Sequence, residues 1–142
     1  MKTLKHRSDC PISSVLDIIG DKWTMLIVRD LFSKGKCTYG DFLKSAEKIA
    51  TNILANRLER LEQNNIILKR EHPNSKAKVL YELTPKGIDM FPIIVEFVIW
   101  ASKYLNLPLD DNPILQGISK FGKQQFIDNV TRQFYLVLHD DR

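Results

Sequence analysis

A cysteine directly before a proline opens the first regular segment of the chain, CPISSVLDIIGDKW at residues 10–23. Pro11 suits the first position of a helix, which places Cys10 at the positive end of the helix dipole, with Lys5 and Arg7 nearby in the sequence. Both effects favour the thiolate, the form of cysteine that reacts with oxidants and electrophiles. Cys10 is therefore a candidate redox switch, and the alternative is an ordinary packing residue.

The other reactive side chains give little support for catalysis. A nucleophilic Cys10 needs a base within reach, and the histidines of the chain are His6, His72 and His139. The second cysteine, Cys37, falls in a predicted loop, forms no CxxC motif, and can resolve a sulfenic acid on Cys10 only if the two sulfurs lie close together. No P-loop, GxGxxG or HExxH motif is present. The sequence thus predicts no enzyme activity, no cofactor and no metal site.

The composition is that of a globular domain with a modest positive charge. The 142 residues are 44% apolar and 27% charged, with a formal net charge of +4. This balance favours a polyanionic partner without requiring one. The N-terminus has no apolar signal core, and the most apolar run, residues 91–101, is about half the length that spans a bilayer. We expect a cytoplasmic protein without membrane contact.

Apolar spacing predicts four helices in the first part of the chain. The first ends at Gly20, and the second runs from about Lys22 to Gly35. Thr38 is a suitable N-cap for a third, short helix, YGDFLKSA. The fourth segment, residues 50–66, is the most regular, with a leucine stripe along one side.

The period then changes to that of strands. IILKREH (66–72) and KVLYELT (78–84) predict a two-stranded hairpin with a basic, flexible tip, PNSKAK. A long helix is predicted over residues 85–105, bent by Pro92. It is apolar on two sides, which indicates burial against its own domain and against a second subunit. Residues 114–138 predict one or two further amphipathic helices.

This order of elements predicts a fold that is mainly α with a small β-hairpin: a winged helix-turn-helix, followed by a long dimerisation helix and an extra C-terminal helical segment. In that layout the fourth helix enters the major groove of double-stranded DNA, and the basic hairpin reaches phosphates. Asparagine can pair with adenine, and threonine or alanine can contact the thymine methyl group. The predicted base-contacting residues are Thr51, Asn52, Ala55 and Asn56. The predicted phosphate-contacting residues are Thr38, Tyr39, Lys44, Lys48, Arg57, Arg60, Lys76 and Lys78.

Alternatives stay open for these residues. A polar face opposite a leucine stripe is also what any solvated helix shows. Arg57 and Arg60 can equally form ion pairs with Glu59, Glu62 or Asp41. A winged helix that had lost DNA binding and become a protein-interaction module would have an acidic or apolar face on the fourth helix, which the asparagines and lysines argue against.

Four blocks in order, CPISSVLDIIGDKWTMLIVRDL, TYGDFLKS, IATNILANRLERLE and VLYELTPKG, carry a family resemblance. From about Cys10 to Tyr104 the chain resembles the HxlR-type, MarR-like winged helix-turn-helix transcriptional regulators. The resemblance implies a bacterial homodimer that binds a pseudo-palindromic operator, as a repressor rather than an activator. It also implies that the first helix and the long helix form the dimer interface. Several members of that family use the cysteine matching Cys10 as a redox sensor.

The chain departs from the family pattern at several positions. Asp21 replaces the second glycine of the IGGKW turn, and Asn65 stands where the family favours glycine. Ala50 replaces the usual Ser or Thr cap, so the recognition helix is expected to begin at Thr51. Residues 106–142 have no counterpart in the shorter members. The expected organisation is a flexible N-terminal arm (1–9), a winged-helix domain (10–105) that includes the dimerisation helix (85–105), and a C-terminal helical extension (106–142).

A small-molecule effector is possible but not indicated by the sequence. The aromatic residues that could line a pocket for one are Trp23, Phe97, Trp100 and Phe126. At helical spacing such residues are more often part of a core.

Overall fold

The structure, a computed structural model, describes residues 7–140, with side chains to residue 138. Residues 1–6, which make up most of the predicted N-terminal arm, lie outside the described residues. The chain forms two compact units, Met1–Gly87 and Ile88–Arg142. Over the described range, no helix combines the length and the apolar character needed to cross a membrane.

The first unit contains the four predicted helices. They are α1 (Pro11–Ile19), α2 (Thr24–Lys34), α3 (Tyr39–Leu43) and α4 (Thr51–Gln63). Gly20 follows α1, and Gly35, with a φ of 84°, follows α2. Positive φ costs glycine nothing, so Gly35 ends the second helix at the predicted place.

Hydrogen bonds fix the start of α3 and the start of α4. The Thr38 hydroxyl accepts a hydrogen bond from the Asp41 N–H (3.2 Å), and the Asp41 carboxylate accepts one from the Thr38 N–H (2.8 Å), which completes a capping box. The helix α4 begins at Thr51, as predicted, after an Ala50 that makes no side-chain cap. The Tyr39 hydroxyl donates to the Thr51 carbonyl (2.7 Å), which ties the start of α4 to α3.

The wing is part of a three-stranded antiparallel sheet, so the predicted two-stranded hairpin was incomplete. Its strands are β1 (Cys37–Thr38), β2 (Ile67–His72) and β3 (Ser75–Leu83), in the order β1-β3-β2. Cys37 pairs with Tyr81 in β1 and does not lie in a loop. The predicted tip is also shorter than expected, because β3 already begins at Ser75. A two-residue strand has no period of its own, so only its pairing with β3 reveals it.

The leucine stripe of α4 lies in the core of the first unit. Leu54, Leu58 and Leu61 are buried, as the apolar spacing predicted. Other buried residues of this core are Ile27, Val28, Leu31, Phe42, Ile66, Ile67 and Leu83. Burial of one side of α4 leaves its opposite side to solvent.

The predicted long helix over residues 85–105 is in fact two helices, α5 (Pro85–Ile88) and α6 (Phe91–Tyr104). The start of α5 is capped as expected, since the Thr84 hydroxyl accepts from the Gly87 N–H. Pro92 lies in the first turn of α6. Proline has no N–H and clashes with the preceding turn, so the chain restarts a helix at this point and does not bend one.

Two further helices, α7 (Pro113–Phe121) and α8 (Lys123–Asp140), follow in the second unit. The Phe126 ring lies against Gly117, where an added Cβ would be 2.2 Å from it, and also packs near Phe91 with ring centroids 5.8 Å apart. Phe126 is thus a packing residue of this unit. The predicted fold class, mainly α with a small sheet in a winged helix-turn-helix layout, is confirmed.

Candidate nucleic-acid interface

The outer face of α4 is polar and exposed. Thr51, Asn52, Ala55 and Asn56 are all solvent-exposed, on the side opposite the buried leucines. Their spacing (i, i+1, i+4, i+5) places them on one helix face. The four predicted base-contacting residues therefore form one continuous surface, with short side chains that can donate, accept or pack against a methyl group.

Arg57, at the edge of this face, is held by two neighbours. Its Nε lies 2.8 Å from Oδ2 of Asp21, and the two side chains keep only 21% and 20% of their exposure. Its Nη1 donates a hydrogen bond to Oδ1 of Asn56. The alternative of an ion pair at Arg57 is thus realised, with a carboxylate from the corner between α1 and α2.

Arg60, one turn further along α4, donates from Nη2 to the carbonyl oxygen of Asp17 (3.1 Å). The carboxylates suggested from the sequence as ion-pair partners bind other groups: Glu59 accepts from Gln63, Glu62 pairs with Lys69, and Asp41 caps α3. Both arginines therefore brace α4 against the α1 region.

Asp21 is a residue whose role the sequence did not show. Its carboxylate accepts hydrogen bonds from the Thr24 hydroxyl (2.5 Å) and from the N–H groups of Trp23 (3.0 Å) and Thr24 (3.1 Å). Partial burial acts to raise the pKa of Asp21, but these bonds and Arg57 outweigh it and lower the pKa to about 2. The ionised carboxylate therefore caps α2 and, through Arg57, also anchors α4. In the sequence, this role of Asp21 was indicated only by its replacement of a glycine in the pattern of the resembled family.

Four of the predicted phosphate-contacting residues share one cleft. Thr38, Tyr39, Lys44 and Lys78 line a cavity of about 560 Å³ between the β1–α3 segment and strand β3. Two further lysines, Lys48 in the α3–α4 turn and Lys76 on the wing, are exposed. The cleft thus has Lys44, which directly follows α3, and Lys78 of the wing among its lining residues, together with the acidic Asp41.

A second charged cluster fixes the end of the α3 segment. Arg29 of α2 binds Glu47 through two hydrogen bonds of 2.8 Å each and also pairs with Asp30 (2.9 Å), which in turn accepts from Ser45. The hydrogen bonds from Arg29 lower the pKa of Glu47 to about 2. This cluster sets the backbone next to Lys48, whose φ is 54°.

The two cysteines lie in different environments. Cys10 is exposed and forms the N-cap position of α1, as predicted, while Arg7 pairs with Asp17 (2.5 Å). Cys37 is fully buried, and this burial raises the pKa of its thiol to about 11. A buried, protonated thiol is a poor nucleophile, so Cys37 is unsuited to resolve an oxidised Cys10. Lys5 lies outside the described residues.

His72, in the wing, is the one histidine whose side chain the structure describes. Nδ1 of His72 accepts from the Asn74 N–H in the wing turn. His6 and the side chain of His139 lie outside the described residues. Among the residues that the structure describes, no group of three or more His, Cys, Asp or Glu side chains could hold a metal ion.

The chain is similar to known proteins in both sequence and structure. The family described as HxlR-like helix-turn-helix matches residues 18–108. The HTH-type transcriptional regulator YodB of Bacillus subtilis (strain 168) is 31% identical over 96 residues, which are 67% of this chain and 85% of YodB. The crystal structure of PA1607 superposes with a TM-score of 0.64 at 38% identity, over 75% of this chain and 72% of PA1607.

Two of the similar proteins have structures that are described by redox state. The reduced form of YodB superposes with a TM-score of 0.57 at 29% identity, over 70% of this chain and 97% of that one, and YodB is also known in diamide-treated and quinone-bound forms. The redox regulator HypR in its oxidised form superposes with a TM-score of 0.59 at 27% identity, over 69% of this chain and 100% of HypR.

Proposed function

This chain belongs to the HxlR-like helix-turn-helix family as a DNA-binding transcriptional regulator, and we propose that it recognises its operator through the exposed face of α4. The observation that carries the proposal is the continuous polar face of α4 beside a lysine-lined cleft. Comparison with known proteins gives no support to the alternative of a winged helix that only binds protein partners.

In the proposed complex, α4 lies in the major groove with Thr51, Asn52, Ala55 and Asn56 against base edges. Each good base contact contributes roughly 1–3 kcal/mol of discrimination. Thr38, Tyr39, Lys44 and Lys78 contact the phosphates on the wing side of the groove, joined by Lys48 and Lys76. These contacts set the position of α4 on the duplex but do not read sequence.

We further propose that the protein acts as a homodimer. On α1, Ile12 is 72% exposed and Leu16 is 50% exposed. On α6, Phe97, Trp100 and Tyr104 are 56%, 58% and 69% exposed at i, i+3 and i+7. Exposed apolar faces of this kind mark interaction surfaces. A dimer would place two copies of α4 about one helical turn apart on a pseudo-palindromic operator, where occlusion of the promoter represses transcription.

The proposal is tested by selection of random duplex DNA with the reduced full-length protein, followed by sequencing. We expect an inverted repeat to be enriched. Affinity for it should fall steeply between about 50 and 200 mM salt, because lysine–phosphate contacts release counterions. Enrichment of no motif, with affinity that does not respond to salt, would refute DNA recognition by α4.

We also propose that Cys10 makes the regulator responsive to oxidants. The thiol is exposed at the start of α1, and similar proteins include a redox regulator and a quinone-bound regulator. In a dimer, two Cys10 thiols would form one disulfide and give two electrons and two protons to an oxidant such as diamide. We do not expect catalysis by Cys10, because the similar proteins are described as transcriptional regulators.

The redox proposal is tested with Cys10→Ser, using Cys37→Ser as the matched control. Both reduced variants should bind the selected operator as tightly as the unmodified protein. Diamide should release the Cys37→Ser variant from DNA but leave the Cys10→Ser variant bound. Release of both variants would show that Cys10 is not the sensor.

A further inference from the structure

His72 ends strand β2 and is one of the residues that line the cleft beside α3 and the wing. Its side chain is half-buried. One of its two ring nitrogens is in use, because Nδ1 accepts a hydrogen bond of 3.1 Å from the backbone N–H of Asn74 in the wing turn. The other nitrogen, Nε2, has no partner among the residues that the structure describes.

The hydrogen bond from Asn74 determines which ring nitrogen carries the proton. A backbone N–H can only donate, so Nδ1 must be the unprotonated nitrogen in this arrangement. Nδ1 has a single lone pair in the plane of the ring, and the Asn74 N–H occupies it. The proton of the imidazole is therefore on Nε2, and the polar group that His72 still has available is a neutral N–H donor.

The surroundings of the imidazole favour an anion as the acceptor for this donor. Lys44 and Lys78 line the same cleft and bring two positive charges. The one carboxylate among the lining residues, that of Asp41, accepts from the Thr38 N–H in the capping box. A phosphate oxygen offers only lone pairs, so it can bind the protonated Nε2 but not a bare ring nitrogen. The tautomer that Asn74 selects is thus the one that a phosphate needs.

We propose that His72 is a phosphate-binding residue of the wing, which donates from Nε2 to the DNA backbone in this cleft. The inference rests on the proposed recognition of DNA by α4, and it adds a residue to the set of phosphate contacts. The contact differs in kind from those of the lysines. A neutral ring fixes the position of a phosphate but adds no positive charge, so it releases no counterion.

The test replaces His72 with two amides that each keep one half of the imidazole. In His72→Asn, the amide oxygen can take the place of Nδ1 and accept from the Asn74 N–H, but no donor reaches the position of Nε2. In His72→Gln, the amide nitrogen can take the place of Nε2 and donate. Lys78→Met is the comparison for a charged contact in the same cleft. Thermal melting of each full-length variant shows whether it is folded.

Affinity for the selected operator is then measured at fixed pH between about 50 and 200 mM salt. We expect His72→Asn to lower it by about three- to tenfold at every salt concentration, the scale of one neutral hydrogen bond, with an unchanged slope of log affinity against log salt. His72→Gln should recover most of this loss. Lys78→Met should lower the affinity and also make the slope shallower by about 1.

Nitrogen NMR of the unmodified protein bound to its operator gives a check that does not depend on affinity. The imidazole signals of His72 are assigned by their absence in His72→Gln. We expect Nε2 to carry a proton and Nδ1 to carry none. A ring protonated on both nitrogens would overturn the inference, because it could not accept from Asn74 and would bind DNA as a cation.

Three results of the binding experiment would overturn the inference while leaving DNA recognition intact. One is a His72→Asn variant with the affinity of the unmodified protein. Another is an equal loss for His72→Asn and His72→Gln, which would mean that the ring packs and does not donate. The third is a slope that becomes shallower in His72→Asn as it does in Lys78→Met. If the unmodified protein enriches no motif, the proposed function fails instead, and the cleft has no phosphate to bind.

Discussion

Asparagine in place of Asp21 should destabilise the first unit, and the loss should depend on pH. The substitution keeps the size of the side chain and one oxygen that can cap α2, but removes the negative charge that faces Arg57. The pKa of Asp21 falls from its ordinary value of 3.8 to about 2 in the folded protein. At about 1.4 kcal/mol per pKa unit, the charge contributes about 2 kcal/mol at neutral pH.

The sign follows from the direction of the change in pKa. Because the folded pKa lies below the unfolded one, the stabilisation is complete well above pH 3.8 and is lost as the pH falls through about 2. About half of it remains at about pH 3. The Asp21 side chain is 20% exposed, so solvent partly screens its charge. We therefore expect Asp21→Asn to lower the free energy of unfolding by about 1–2 kcal/mol at about pH 7.

The assay is urea unfolding at fixed protein concentration, followed by the fluorescence of Trp23 in a Trp100→Phe background. Trp23 lies beside Asp21, so its signal reports on the first unit. The matched control is Glu71→Gln, which removes a carboxylate from the exposed side of β2 in the same unit. We expect a loss of stability for Asp21→Asn that shrinks by about half between about pH 7 and pH 3, and little change for Glu71→Gln. A loss that is equal at both pH values would show that the charge of Asp21 is not what stabilises α2 and α4.

Three further predictions concern packing, backbone strain and assembly. Gly117→Ala should destabilise the protein by about 1–3 kcal/mol, because the new methyl group meets the Phe126 ring. Gly40→Ala is the control, since a Cβ has room there, and it should cause no such loss. Equal melting temperatures for the two variants would contradict the prediction. Lys48→Gly should stabilise the protein by about 1 kcal/mol, because φ at this position is 54° and glycine adopts that value without strain. The same change should weaken operator binding, because it removes a proposed phosphate contact. A lower melting temperature would count against backbone strain at this position. Trp100→Lys should shift the protein from dimer to monomer in sedimentation, and an unchanged dimer would exclude this face of α6 from the interface.

The helices of the first unit could be predicted because their signals are local. The buried stripe of α4 follows from leucines at helical spacing, and Thr38 caps α3 as its residue type suggests. Asn65, which stands where the resembled family favours glycine, has a left-handed φ of 59°, a conformation that asparagine tolerates. Each of these features depends on residues within about one or two helical turns, so the sequence contains the whole signal.

Two features that the hydrophobic pattern alone does not determine were missed. The strand β1 is two residues long and exists only through its pairing with Leu80 and Tyr81 of β3. The break between α5 and α6 lies where the prediction had one bent helix, because apolar residues continue through it and hide the effect of Pro92. In both cases the hydrophobic pattern is compatible with two structures. Pairing with β3 decides for β1, and Pro92 decides for the break between α5 and α6.

The same distinction explains the candidate site. The exposed face of α4 could be predicted, because it is the side opposite the leucine stripe. The partner of Arg57 could not, because Asp21 is 36 residues earlier in the chain and meets Arg57 only once α2 and α4 have packed together. Sequence reasoning considered Glu59, Glu62 and Asp41 instead, and these carboxylates bind other groups.

The ion pair between Arg57 and Asp21 affects which cationic side chains are suited to bind DNA phosphates. To reach a phosphate with Nε, the guanidinium would have to leave Asp21, and the partly buried carboxylate would then lose its ion-pair partner. The exposed lysines on α3, the turn and the wing carry no such cost, because their ammonium groups already lie in water. Phosphate binding should therefore fall to Lys44, Lys48 and Lys78, and salt dependence should weaken when these are replaced. Loss of Arg57 should instead weaken the attachment of α4 to the corner between α1 and α2, which lowers the melting temperature and leaves the salt dependence of DNA binding largely unchanged.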